Sequence, residues 1–151
     1  MGYERLIAIP MFLGVVPDVL KTIYAAGGIV KIATGEIIIR EGEINQHMYM
    51  VLSGELAVSL PSNANRYSQV IIATRRQGEC LGEYSFLDHQ RAGATVTAKQ
   101  PAELFKISHA AFNRILESDT DLERVLYKNL LVSLVERLRA NDAELDLFRP
   151  I

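Results

Sequence analysis

One cysteine, no tryptophan and no long apolar run are the first things the 151-residue chain offers, and each excludes something. A lone Cys80 rules out an internal disulfide framework and suits a reducing compartment. No apolar stretch approaches the roughly 18–20 residues that cross a bilayer. Sixteen basic residues against eighteen acidic ones give a net charge of −2, with none of the basic excess that nucleic acid attracts. Arg5 ahead of the apolar stretch 6–16 loosely resembles a signal peptide. Pro10 interrupts that stretch, Asp18 follows it, and no small-residue cleavage site comes after. Leu6 stands where a myristoylation signal beginning Met1-Gly2 wants Ser or Thr. The expectation is a cytoplasmic protein with an intact amino terminus, no membrane partner and no nucleic-acid partner. His47, His89 and His109 form no metal-ligand spacing with one another or with Cys80, so no metal is expected. Cys80 reads as a small buried thiol, since nothing marks a base with an orienting partner, and no enzymatic activity is expected.

What the chain does have falls into three zones. Residues 1–28 carry helical spacing through Leu6, Ile9, Leu13, Val16, Leu20 and Ile23, broken at Pro10 and Pro17 and ended by Gly27-Gly28. Residues 29–108 switch to short β-rich runs: GIVKIA, EIIIR, HMYMVL, ELAVSL, QVIIATR, ATVTA and AELFKIS. Glycines 35, 42, 54, 78, 82 and 93 lie mostly between these runs, and PSNANRYS at 61–68 reads as an exposed hairpin loop. Many short strands at near-regular spacing predict an antiparallel sandwich or barrel. Residues 109–148 are helical again, with Asn113–Glu117 completing a short helix. Ser118-Asp119-Thr120-Asp121 offers N-caps for a long one. The predicted fold is mainly β: one domain over 1–151, an antiparallel β-roll (jelly roll) with an N-terminal helix and a C-terminal helix pair.

The stretch GEYSFLDHQRAGATV at 82–96 places one acid, Glu83, and one arginine, Arg91, among apolar, small and turn-forming residues. Gly82 allows close backbone approach, and the first turn of a short helix offers N–H groups to an anion. Glu83 is suited to accept from a sugar hydroxyl, and Arg91 presents a forked donor suited to phosphate. On spacing alone, a structural Glu–Arg ion pair closing the loop explains the pattern equally well.

The segment GEYSFLDHQRAGATVTA resembles the phosphate-binding cassette of the cyclic nucleotide-binding domain family. LIAIPMFLGVVPDVLKTI is similar to that family's opening helical segment, TGEIIIREGEINQHMYMVLSGELAVSL to its first four strands, and LVERLRANDAEL to its closing helix. The resemblance implies a β-roll holding cAMP or cGMP, with no other cofactor. It implies Glu83 on the ribose 2′-hydroxyl, Arg91 on the cyclic phosphate, and backbone contacts near Gly82, Glu83 and Ala92. Tyr84 and Ser85 lie in the cassette turn, and Asn141 and Asp142 of the closing helix would meet the base. Ala92, where several cGMP-binding relatives carry threonine, favours cAMP. Two departures stand out. Aligned on Ala94-Thr95-Val96, Arg91 lies one place early, which a strand would not tolerate but a glycine bulge at Gly93 absorbs. Bulky Tyr84 or Phe86, if turned inward, would fill the pocket.

The function so implied is a regulatory module that senses a cyclic nucleotide and signals through its C-terminal helix to an effector that the sequence does not name. The alternatives are a non-binding pseudo-domain acting through protein contacts, or a truncated catabolite activator-type transcription regulator. No recognition helix follows the long helix before Ile151, so direct DNA binding is not expected. In sevens, Arg124, Tyr127, Leu131, Leu134, Leu138, Asn141, Leu145 and Phe148 share one stripe, and Leu122, Val125, Leu126, Leu130 and Val135 widen the apolar surface. A helix apolar on two sides needs cover on two sides, which predicts a parallel homodimer along it unless the roll and the short helix suffice.

Overall fold

A computed structural model describes residues 2–63 and 65–147, with side chains as far as Asn141 in the closing helix. The chain opens with two short 3-10 turns, Tyr3–Leu6 and Pro10–Phe12, followed by helix α1 (Pro17–Ala26). Pro10 and Pro17 each sit at the first position of a new helical turn, where the missing N–H costs nothing. Strands β1 (Gly28–Ile32), β2 (Ile37–Ile39), β3 (His47–Ser53), β4 (Leu56–Leu60), β5 (Val70–Arg75) and β6 (Cys80–Leu81) come next. A one-and-a-half-turn helix α2 (Glu83–Asp88) precedes β7 (Thr95–Ala98) and β8 (Ala102–Ser108). Helices α3 (His109–Glu117) and α4 (Thr120–Leu147) close the chain.

The strands form two four-stranded antiparallel sheets, ordered β1–β8–β3–β6 and β2–β7–β4–β5. This is the β-roll that the strand spacing predicts. Each of the seven β-rich runs contains a strand; only β6, two residues long, carries too little pattern to be read. The predicted hairpin loop joins β4 to β5, but it is tethered. Arg66 donates to the Pro61 carbonyl at 2.7 Å and pairs with Glu41 at 3.3 Å.

β3 and β8 lie at the centre of the first sheet and are buried on both faces. Met48, Met50, Leu52, Phe105 and Ile107 turn towards the helices, where Leu6, Phe12, Ile23, Phe112 and Leu126 complete one core. Tyr49, Val51 and Leu104 turn into the roll against Leu56, Val58, Leu81 and Val96 of a second core. Burial on two faces explains why HMYMVL is a continuous apolar run rather than an alternating one. Gly54, at φ +90°, turns the chain from β3 to β4, and a Cβ there would sit 2.6 Å from the Pro101 carbonyl.

The helical zones differ from expectation in one detail. Leu6, Ile9, Leu20 and Ile23 are buried, but Leu13 and Val16 stay exposed because the turn between the two prolines swings them out of the stripe. The short helix starts at His109, capped by Ser108, whose Oγ accepts from the Ala111 N–H at 3.1 Å. Asp119, one of the expected caps, accepts from the Leu122 N–H at 3.1 Å and starts α4. Leu122, Leu126 and Leu130 bury one face of α4; between 131 and 141 no side chain is buried. Leu131, Val132, Val135 and Leu138 are all exposed. The second 3-10 turn, whose Met11 carbonyl accepts from Asn129 of α4 at 2.8 Å, and α3 therefore cover one side of α4 and leave the other open. None of the described helices is long and apolar enough to cross a membrane.

Phe112 joins these layers: it is fully buried and meets Phe86 of α2 edge-on, with ring centroids 5.3 Å apart. Phe112→Ala should lower the unfolding free energy by about 3–5 kcal/mol. A chemical-denaturation curve with a midpoint close to the parent's would show that the α2–α3 contact is not a core contact.

Candidate functional site

Gly82 takes the left-handed conformation (φ +81°) at the head of α2, directly after β6 pairs Leu81 with Tyr49. A Cβ at this position would lie 2.2 Å from the His47 carbonyl and 2.7 Å from the Asn45 amide, so only glycine fits. The turn carries Glu83 into the molecule, where it is 4% exposed. Phe86 points the opposite way, into the helical core against Phe112 and His109. Phe86 therefore does not fill the roll. Tyr84, half-exposed, stands at the rim.

A cavity of about 800 Å³ opens beside this turn. Gly82, Glu83, Tyr84, Ser85 and Ala92 line it, and so does Asn141 from α4. Asn141 is exposed at the mouth, and the side chain of Asp142 lies outside the described residues. Ile39, Val58 and Val96 supply an apolar floor. Six of the eight expected site residues thus converge on one space.

Arg91 does not join them. Its guanidinium is exposed and donates from Nη1 to the Gly42 carbonyl at 3.1 Å. The cause is the next residue. Ala92 N–H donates to the Glu43 carbonyl at 2.9 Å, and its carbonyl accepts from Gly42 N–H at 2.8 Å. This two-bond clamp holds Ala92 at the cavity wall, and Arg91, one place earlier in open backbone, is not among the residues that line the cavity. β7 begins only at Thr95, so the slip is left in the loop and is not corrected by a bulge at Gly93. The same clamp occupies the Ala92 amide that the family resemblance would give to an anion.

The cation on Glu83 comes from elsewhere. Arg137 of α4 donates from Nη1 to Glu83 Oε1, and the same guanidinium reaches the Tyr84 hydroxyl at 3.3 Å and the Cys80 carbonyl at 3.4 Å. Its plane also lies 5.8 Å from the Tyr84 ring centroid, within cation–π reach. Burial alone would lower the Arg137 pKa, but the Glu83 carboxylate and the Tyr84 hydroxyl together outweigh it and the pKa is held up. No hydrogen bond among the described residues uses Glu83 Oε2, which leaves that oxygen for a hydroxyl. The sequence did carry a hint of Arg137. It lies one helical turn before Asn141, and a glutamate in an apolar cassette needs a partner.

Cys80 is buried, and burial first, then the Glu83 charge, pushes its thiol far above the range in which a thiolate would form. His109 bonds the Gly82 carbonyl at 3.2 Å, and burial lowers its pKa, so it is neutral at pH 7. Among the described residues no three His, Cys, Asp or Glu side chains gather to hold a metal.

Comparison with known proteins agrees with this geometry. The model of the cyclic nucleotide-binding domain family matches residues 29–119. A cAMP-dependent protein kinase regulatory subunit of Blastocladiella emersonii is 31% identical over 101 residues, 67% of this chain and 25% of the relative. A cGMP-dependent protein kinase of Eimeria tenella is 28% identical over 103 residues, 68% of this chain and 9% of the relative. The chain therefore spans a quarter or less of these two relatives. Among solved structures, a cyclic nucleotide-binding domain from Methylobacillus flagellatus superposes with a TM-score of 0.86 at 20% identity, covering 99% of this chain and 86% of the other. The Thermus thermophilus catabolite activator protein gives 0.75 at 25% identity, covering 91% and 62%. With the cassette turn, the eight-stranded roll and the family match over most of its strands, the chain belongs to the cyclic nucleotide-binding domain family.

Proposed function

We propose that the protein is a non-enzymatic regulatory module that binds a cyclic nucleotide, cAMP in preference to cGMP, in the roll cavity and signals through α4. The observation that carries this reading is the buried Glu83 carboxylate, set by Gly82 on the cavity wall and already touched by Arg137 of α4. A ribose hydroxyl donating to Oε2 would sense the same group that α4 holds. The preference for cAMP rests on Ala92, which lines the cavity and lacks the hydroxyl that a threonine there would offer a guanine. Asn141, one turn beyond Arg137 and on the same cavity, would meet the base. A cytoplasmic location belongs to the same proposal and suits the single cysteine.

The exposed α4 stripe supports a homodimer as part of this reading. Leu131 and Leu138, at equivalent positions of the sevenfold pattern, are each more than 60% exposed. Two copies packed in parallel along α4 would cover them and place Arg137 and Asn141 beside the seam. Elsewhere on the stripe Tyr127 and Leu134 are half-buried, Arg124 and Asn141 are exposed, and the side chains of Leu145 and Phe148 lie outside the described residues.

A second reading has one observation in its favour. Arg91 lies outside the cavity while Arg137 sits on Glu83, which is also how a domain that no longer binds ligand would look. The pseudo-domain would then act through the α4 face alone.

Three measurements test these proposals. A cyclic nucleotide at 100 times its dissociation constant should raise the unfolding free energy by about 2.7 kcal/mol. The absence of any melting shift with millimolar cAMP or cGMP would favour the pseudo-domain. Glu83→Ala should weaken cAMP by about ten- to a hundredfold, from the loss of a charge-assisted hydrogen bond, and should weaken 2′-deoxy-cAMP much less. Equal losses would remove the ribose assignment. Leu131→Glu combined with Leu138→Glu should give a folded monomer by light scattering, and a parent protein already monomeric at high micromolar concentration would end the dimer proposal.

A further inference from the structure

Three guanidinium groups line the cavity, Arg75, Arg76 and Arg137, against two carboxylates, Glu79 and Glu83. The lining thus carries a surplus of one positive charge. Arg137 is committed to Glu83. Arg76 pairs with Glu55 at 3.2 Å and is 68% exposed, so water and a carboxylate already satisfy it. Arg75 differs from both. At the end of β5, opposite Leu56, it is the most buried of the three, at 14% exposure. Its contacts are poor: one bond to the neighbouring Thr74 carbonyl at 3.4 Å, and Glu79 at the 4.0 Å limit of an ion pair. Glu79 is partly spoken for, because its Oε1 accepts from the Arg76 N–H at 2.9 Å.

A guanidinium has five donors and cannot shed its charge, so one set in the cavity wall with such poor partners has donors to spare for an anion. The cassette arginine, which the family resemblance assigns to the cyclic phosphate, bonds the Gly42 carbonyl and does not line the cavity. We infer that Arg75 takes the ligand's phosphodiester in place of Arg91. This rests on the cyclic-nucleotide reading above. It also orients the ligand: the phosphate turns towards Arg75 at the end of β5 while the ribose hydroxyl remains at Glu83.

The test is a calorimetric titration of cAMP and of adenosine, which lacks the phosphate, into the parent protein, Arg75→Gln, Arg75→Lys and Arg91→Gln. Arg75→Gln should lose about ten- to a hundredfold in cAMP affinity while adenosine changes by less than about twofold. Arg91→Gln should leave both ligands within about twofold. Should Arg75→Gln not fold, Arg75→Lys decides: it keeps the charge but loses the fork, so cAMP should weaken by about three- to tenfold with adenosine unmoved. Loss of cAMP binding in Arg91→Gln with Arg75→Gln unaffected would overturn the assignment. So would equal losses of cAMP and adenosine in the Arg75 variants, since these would mark a packing role. A parent protein that binds neither cAMP nor cGMP would instead overturn the underlying reading, and the Arg75 assignment with it.

Discussion

A carboxylate taken out of water fixes much of this molecule. Left alone, a buried Glu83 carboxylate would incur a penalty of several kcal/mol, so its burial demands a cation within hydrogen-bond reach. The cassette supplies none, because Arg91 faces solvent. The cation comes instead from α4, which packs on the second 3-10 turn and α3 and reaches Glu83 with Arg137. With Arg137 turned to Glu83, the face carrying Leu122, Leu126 and Leu130 meets the helical core, and Leu131 and Leu138 are left outside. Replacing one partner of such a pair typically costs 3–5 kcal/mol, more than the pair itself contributes, so its value lies in specifying the arrangement.

The two cores make that arrangement consequential. β3 and β8 form a wall with apolar side chains on both faces, and α2 sits at its edge with one foot in each core. Phe86 belongs to the helical core, and Glu83 belongs to the roll cavity, three residues away on a single turn. Close packing leaves little room for α2 to shift on one side without being felt on the other. His109 adds a second tie, from the start of α3 to the Gly82 carbonyl at the head of the same turn.

The roll was legible because its signals are local and repeated: short β-rich runs, a glycine at most turns, and prolines that restart helices. The acid of the site was legible for a related reason, since a lone glutamate after Gly82 in an apolar stretch has few other uses. Arg137 was not read, because its role depends on a contact between residues 54 apart that no local period encodes. Arg75 was hidden for another reason. A basic residue at the end of a β run such as QVIIATR usually means that the strand is leaving the core, and only the tertiary fold shows it half-closed within the cavity wall. The face taken by Arg91 turned on one residue of register and on two backbone bonds of Ala92, and sequence spacing fixes neither.

These features leave a site whose acceptor is occupied before any ligand arrives, and the sign of its coupling follows from that. A ribose hydroxyl that adds to Glu83 Oε2 while Arg137 keeps Oε1 would tighten the hold on α4. A ligand that draws Glu83 away from Arg137 would release α4 and leave a guanidinium to be satisfied elsewhere, with the Tyr84 ring 5.8 Å away as the ready alternative. Whichever applies, the coupling is reciprocal: anything that stabilises α4 in its present phase must change ligand affinity by the factor by which ligand changes the stability of that phase. A second copy of the chain covering Leu131 and Leu138 would be such a stabiliser. The cavity and the exposed helix face are therefore not separate properties of the domain, because one ion pair belongs to both.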